Sequence, residues 1–206
     1  MEPLSEQVRP LGLRNGRSGF GVTTLGFGAA PIANIRGNVS DEEALAAVKD
    51  AKDCGCGFFD TAPWYGRGLS ERRLGVALSN YERSSYRLQT KVGRFIVAGQ
   101  PNDRDASGGE INAGSYQGAH GAAFGVVHDY RHDSVLRQHQ DSLQRLGVSR
   151  IDSLVIHDLD YGHGSAEQIE GYLTELEGGA RALADLRTAG TISAFGCGCN
   201  NFSQGW

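Results

Sequence analysis

A chain of 206 residues, 39% hydrophobic and 21% charged, can bury one substantial core, and a single domain over residues 1–206 is expected. A formal net charge of −4 gives no electrostatic footing for nucleic acid or an anionic membrane surface, and no apolar run reaches the roughly 18 residues that span a bilayer. The opening MEPLSEQVRPLG lacks the charged-then-apolar pattern of a secretory leader, so a cytoplasmic location is expected.

In chain order, a short hairpin is expected near the start, with Leu11-Gly12-Leu13, a turn at Asn15-Gly16 and a return at Gly19-Phe20. Val22–Gly28 reads as the first strong strand. Ser40 and Glu43 have capping-box spacing and open a helix carrying Ala44, Leu45, Ala47 and Val48. After the turn Cys54–Gly57, a strand ends at Asp60, the loop Thr61–Gly66 follows, and a helix is predicted over Ser70–Tyr81. Arg87–Val92 is the next strand, with Lys91 at its end. Residues 94–131 are rich in Gly, Asn and Ser and show no clear period. They read as a functional loop or substrate-covering lid, with Tyr116, Phe124 and His128 as contacts. A helix over Asp133–Leu146 and a strand Ile151–Ile156 ending in His157-Asp158 come next. A long helix from Ala166 to Ala189, broken near Gly178-Gly179, then leads to a last strand, Ile192–Cys199.

This β-α alternation predicts an α/β protein with a parallel sheet flanked by helices, either doubly wound or a (β/α) barrel. No strand is followed by G-x-G-x-x-G, and no G-x-x-x-x-G-K-[ST] occurs. The four cysteines form two C-x-C pairs, Cys54/Cys56 and Cys197/Cys199, a spacing that suits zinc poorly. They are expected to be buried free thiols, the second pair facing one side of its strand, and no metal is expected.

Three consecutive strands end in ionisable residues, Asp60, Lys91 and His157, and Tyr65 sits in the loop after the first. Parallel strands bring their C-terminal ends side by side, so the four converge on one face. A lysine ammonium beside a tyrosine favours the phenolate, and an aspartate can hold that lysine in place. A histidine at the same oxygen can orient a carbonyl or assist proton transfer. Such a set suits reversible carbonyl/alcohol interconversion if a hydride carrier binds alongside.

The segments FFDTAPWYG with LSERRLG, TKVGR, RLGVSRIDSLVIHD and GCNNF together resemble the aldo-keto reductase family, from about Leu25 to Phe202. The resemblance implies a (β/α)8 TIM barrel, here represented by about five strands, and a catalytic tetrad of Asp60, Tyr65, Lys91 and His157. It further implies NAD or NADP as cofactor, with Asp60, Gly28, Asn200 and Asn201 in the cofactor site. The two asparagines would face the nicotinamide carboxamide. The segment from His128 to Asp160 is most similar to the branch of D-threo-aldose (L-fucose) and pyridoxal dehydrogenases, although Arg131 stands where that branch is expected to carry a small hydroxyl residue. The implied substrate is a small carbonyl compound or sugar. The last three βα units, where the family binds the cofactor's phosphates, have no counterpart among these segments, so the chain by itself is expected to bind cofactor weakly and fold marginally.

Three other readings remain open at this level. Lys91 could be a Schiff-base nucleophile, as strand-end lysines are in barrel aldolases. The chain could be a non-catalytic or regulatory module, or a metal enzyme could be built on His157 and Asp158. Oligomeric state is open.

Overall fold

The computed structural model describes residues 8–10, 21–35, 37–98, 124–160 and 165–200. The elements are β1 (Val8–Pro10), β2 (Gly21–Thr23), β3 (Phe27–Gly28), α1 (Asp41–Asp53), β4 (Phe58–Asp60), α2 (Leu69–Leu78), β5 (Arg87–Val92), β6 (Arg94–Ala98), β7 (Phe124–His128), α3 (His132–Leu146), β8 (Ser153–His157), α4 (Ala166–Thr188) and β9 (Ala194–Gly198).

Five strands make one parallel sheet in the order β3-β4-β5-β8-β9. Parallel strands therefore lie side by side in chain order, and the helices pack in the same succession, α1 on α2, α2 on α3 and α3 on α4. A doubly wound sheet reverses its strand order at a switch point, whereas a barrel wall advances in one direction. This sheet is barrel wall.

The two faces of the wall divide the labour. Phe59, Leu88, Val92, Leu154 and Ile156 join one core with Val48, Leu74, Leu78, Val135, Leu146 and Leu183 of the helices. Alternation then places Asp60, Gln89, Lys91, Val155 and His157 on the opposite face, because register pairs Asp60 with Gln89 and Lys91 with Val155. Among the described residues, no helix is long and apolar enough to cross a membrane.

Helix ends follow the local chemistry. Ser40 Oγ accepts from the Glu43 amide at 3.1 Å while Glu43 Oε2 accepts from the Ser40 amide at 2.8 Å, the expected capping box. Ser165 and Gln168 form a second box at the start of α4. Glu71 is fully buried and ties three elements together: it accepts from Thr90 Oγ1 on β5 at 2.8 Å and pairs with Arg145 Nε on α3 at 2.5 Å.

Several expectations need correction. The hairpin expected over residues 11–20 lies outside the described residues, on either side of which Val8–Pro10 pairs antiparallel with Gly21–Thr23. Val22–Gly28 is two strands, because β2 pairs antiparallel with β1 and β3 pairs parallel with β4, and the chain bends between the two partners. The region 94–131 contains an antiparallel ribbon, Arg94 opposite His128 and Ala98 opposite Phe124. Its two strands are only five residues long, too short to declare a period beside the Gly-rich residues between them. Tyr116 lies outside the described residues; Phe124 and His128 are on β7, where the His128 ring stacks on Tyr172 of α4 at 5.5 Å. Helix α4 runs unbroken through Gly178-Gly179. A Cβ on Gly179 would come 2.2 Å from the Tyr130 carbonyl, so this glycine serves close approach rather than a break. Of the four free cysteines only Cys56 is buried. Cys54 caps α1, and Cys197 and Cys199 lie on the sheet's edge strand or just beyond it, so all three reach solvent.

Candidate active site

The loop between β4 and α2 is built to hold side chains at the strand end. The Asp60 carbonyl accepts from Ala29 N at 2.8 Å and the Thr61 amide donates to Gln89 O at 3.0 Å, so both neighbouring strands grip the loop's start. Ser70 fastens its other end, accepting from Thr61 Oγ1 at 2.9 Å and donating to the Ala29 carbonyl at 2.8 Å. The Ser70 amide in turn bonds the Tyr65 carbonyl at 3.2 Å, which fixes the tyrosine's backbone.

On this frame all four residues of the expected tetrad come together. Lys91, 7% exposed, donates to Asp60 Oδ1 at 2.9 Å, to Asp60 Oδ2 at 2.7 Å and to the Thr61 carbonyl at 2.9 Å. Its Nζ lies 4.8 Å from the centre of the Tyr65 ring. The His157 ring stands edge-on to the Tyr65 ring, centroids 5.7 Å apart, and its backbone carbonyl accepts from Tyr130 Oη at 3.0 Å.

The phenol's electrostatics differ from the sequence expectation. Burial pushes the Tyr65 phenol above its ordinary value; Lys91 pulls it down, but Asp60 pushes back, and the net direction is up. The lysine acts as expected, yet desolvation of a charged phenolate outweighs a charge already paired with a carboxylate. The group is thus a protonated donor at neutral pH.

Three residues around the tetrad, Gln89, Arg94 and Trp64, were not singled out from sequence, and Asp158 was weighed only as a metal ligand beside His157. Gln89 Nε2 donates to Asp60 Oδ1 at 2.7 Å, a second clamp on the aspartate; its position two residues before Lys91 on one strand was the available signal. Asp158, at φ +48, adopts a left-handed conformation that disfavours non-glycine residues by roughly 1 kcal/mol. Its Oδ2 lies 3.4 Å from His157 Nε2 and 3.1 Å from Arg94 Nη1. The Arg94 guanidinium also lies 4.0 Å from the centre of the Trp64 ring. Arg94 and Asp158 both sat inside quoted motifs, TKVGR and VIHD. Arg131 is the N-cap of α3, pairs with Asp129 and lines a surface cavity with Phe95 and Arg137.

The residues expected around a nicotinamide fit in part. Gly28 stands in register with Asp60, and a Cβ there would meet nothing within 4 Å, so space opens beside the aspartate. Asn200 is exposed; its backbone amide donates to Asp160 Oδ2 at 2.8 Å and its side-chain nitrogen to Asp158 Oδ1 at 3.0 Å. Among the described residues its amide oxygen carries no hydrogen bond, which leaves an acceptor suited to a carboxamide N–H. Asn201 lies outside the described residues.

Comparison with known proteins bears on the fold and the family. A family model described as the aldo/keto reductase family matches residues 24–204. The chain is 36% identical to pyridoxal 4-dehydrogenase of Microbacterium luteolum, an alignment covering 91% of this chain and 55% of that one. It is 33% identical to D-threo-aldose 1-dehydrogenase of a Pseudomonas species, over 88% of this chain and 51% of the other. It thus spans about half the length of these curated relatives. A solved candidate aldo-keto reductase from Pseudomonas aeruginosa superposes with a TM-score of 0.64 at 30% identity, covering 95% of this chain and 61% of that one. The parallel strands are accordingly part of a (β/α)8 barrel wall, and a match running from the first parallel strand past the last places this chain in the aldo/keto reductase family.

Proposed function

We propose that the chain carries the reacting centre of a nicotinamide-dependent oxidoreductase that interconverts a small aldehyde, ketone or sugar lactol with the corresponding alcohol or lactone. The observation that supports this most is the convergence of Asp60, Lys91, Tyr65 and His157 at the ends of three adjacent parallel strands, on the face opposite the helices.

In this reading a substrate oxygen sits between Tyr65 and His157. Tyr65, kept protonated by burial, gives its phenol proton to the oxygen as the carbonyl is reduced, and accepts it back in the reverse direction. Lys91 moderates that transfer by favouring the phenolate formed, while Asp60 and Gln89 fix the lysine. His157 orients the oxygen. When bound, the cofactor's contribution is the hydride, and Gly28, Asp60, Asn200 and Asn201 are the residues proposed to hold its nicotinamide end. NAD and NADP are both compatible with this proposal, which concerns the nicotinamide end that the two share.

The Schiff-base reading loses ground, because Lys91 Nζ is engaged by three acceptors and borders a buried wall. A non-catalytic role for the 206-residue chain by itself keeps one supporting observation, its coverage of about half of the curated relatives. Among substrates, the relatives direct attention to pyridoxal and to D-threo-aldoses such as L-fucose.

The test is nicotinamide reduction by the purified chain with pyridoxal and L-fucose, beside Tyr65→Phe. Turnover that disappears with the phenol hydroxyl supports the proposal. Cofactor binding without turnover in either protein would favour the non-catalytic reading.

A further inference from the structure

We propose that Arg94 is a positioning residue of this site, one guanidinium that holds the Asp158 carboxylate beside His157 and the Trp64 indole beside Tyr65. The inference deepens the functional reading above and rests on it.

Arg94 comes from β6, outside the parallel sheet, yet only 3% of it is exposed. Its Nη1 contacts Asp158 Oδ2 at 3.1 Å, and that same oxygen lies 3.4 Å from His157 Nε2. The guanidinium carbon is also 4.0 Å from the centre of the Trp64 ring. Trp64 packs edge-on against both catalytic rings, 6.1 Å from Tyr65 and 6.1 Å from His157. One side chain therefore touches the two segments that carry the tyrosine and the histidine.

Arginine suits both tasks. Its edge presents a fork of donors to a carboxylate, and its flat, weakly hydrated face stacks on an aromatic ring. Lysine can supply the charge without the face. The other Asp158 oxygen accepts from the Asn200 side chain at 3.0 Å, so the carboxylate is held from both sides. That arrangement keeps a residue with left-handed backbone in one orientation.

The consequence is electrostatic as well as steric. Among the described residues, the ionisable groups in contact with or paired beside His157 include Tyr65, Lys91 paired with Asp60, Arg94, Tyr130 and Asp158; the neighbouring strand β9 presents Gly196 and Gly198 in register with this face. Asp158 is within ion-pair distance of the imidazole, and Arg94 offsets its charge. Removing the Arg94 charge strengthens the carboxylate's pull on the imidazole and favours the imidazolium.

The experiment is an NMR titration of the His157 ring in the full chain, assigned by comparison with His157→Gln, and it needs neither cofactor nor substrate. Arg94→Gln is expected to raise the protonation midpoint of His157, about tenfold in the proton-binding constant. Arg94→Lys should leave that midpoint near the parent value, because the charge remains. Where Arg94→Gln does not fold, Asp158→Asn supplies the reciprocal arm and should lower the midpoint. A merely structural arginine predicts lower thermal stability with an unmoved midpoint in Arg94→Gln, or in Asp158→Asn, and that outcome overturns the proposal. Because the titration is read without turnover, an inactive chain would count against the functional reading and leave this inference to be judged separately.

Discussion

Lys91 Nζ lies 2.7 Å from Asp60 Oδ2 but 4.8 Å from the centre of the Tyr65 ring, so its charge is answered by a carboxylate before it acts on the phenol. The same geometry gives the aspartate two opposed effects. It holds the lysine where the reaction needs it, and it limits how far that lysine can acidify the tyrosine.

Asp60→Asn separates those effects. With the carboxylate neutral, burial and the Asp158 charge still push the Tyr65 phenol up, and Lys91, now without the Asp60 charge beside it, pulls it down more strongly. The phenol should therefore ionise at lower pH than in the parent chain, by about tenfold in the ionisation constant. Phenolate absorbance measured against pH checks this, with Asp60→Asn/Tyr65→Phe as the background. If the Tyr65 phenol titrates alike in Asp60→Asn and in the parent chain, the lysine's field does not reach the tyrosine.

Glu71 offers a stability test on the helix-covered side of the sheet. It is fully buried, pairs with Arg145 and accepts from Thr90. Glu71→Leu strands the arginine's charge and the threonine hydroxyl, and should destabilise the chain by about 3 kcal/mol. Glu71→Leu/Arg145→Leu should recover part of that loss, since a buried pair replaced by apolar groups leaves no orphaned charge. Urea unfolding of the two variants makes the comparison, and equal stability of the single and double variants would contradict it.

How far the sequence disclosed this arrangement depended on the kind of signal each residue carried. Asp60, Lys91 and His157 were legible because each stands last or next to last in a strand, and parallel pairing turns three strand ends into one locus. Arg94 and Asp158 were visible as letters in motifs but not as partners. They lie far apart in the chain, and the parallel pairing of Val92 with Ile156 brings their segments side by side. The ribbon that begins at Arg94 was hidden by glycine-rich composition. The net direction of the Tyr65 phenol was out of reach for another reason: burial outweighs the lysine there, and burial is a property of the packed loop.

His139 provides a pH test. It is 1% exposed on α3, and burial holds its imidazole below the ordinary 6.5. In the pH range between that lowered value and 6.5, the unfolded chain binds a proton that the folded chain does not, so stability rises with pH there. The contribution is fully present above 6.5 and is lost as pH falls toward the folded-state value. His139→Gln should therefore flatten the decline in melting temperature below pH 6.5. A parallel decline in both proteins would show that other groups govern it.

Gly93 joins backbone geometry to the site most directly. It follows β5 at φ +95, a conformation that side chains rarely adopt, and a Cβ there would lie 2.0 Å from Tyr130 Cε1. The Tyr130 ring cannot yield freely, because its hydroxyl donates to the His157 carbonyl and its backbone amide donates to Glu175 at 3.1 Å. Gly93→Ala should thus destabilise the fold by about 2–4 kcal/mol, combining left-handed strain with overpacking. It should also disturb His157 through the tyrosine. Tyr130→Phe keeps the ring and removes only the hydroxyl, so its cost should be nearer 1 kcal/mol. Gly93→Ala/Tyr130→Leu tests which term dominates. If the clash does, trading the ring for a smaller side chain should recover stability relative to Gly93→Ala; if the left-handed backbone does, the double variant should be no more stable than the single one.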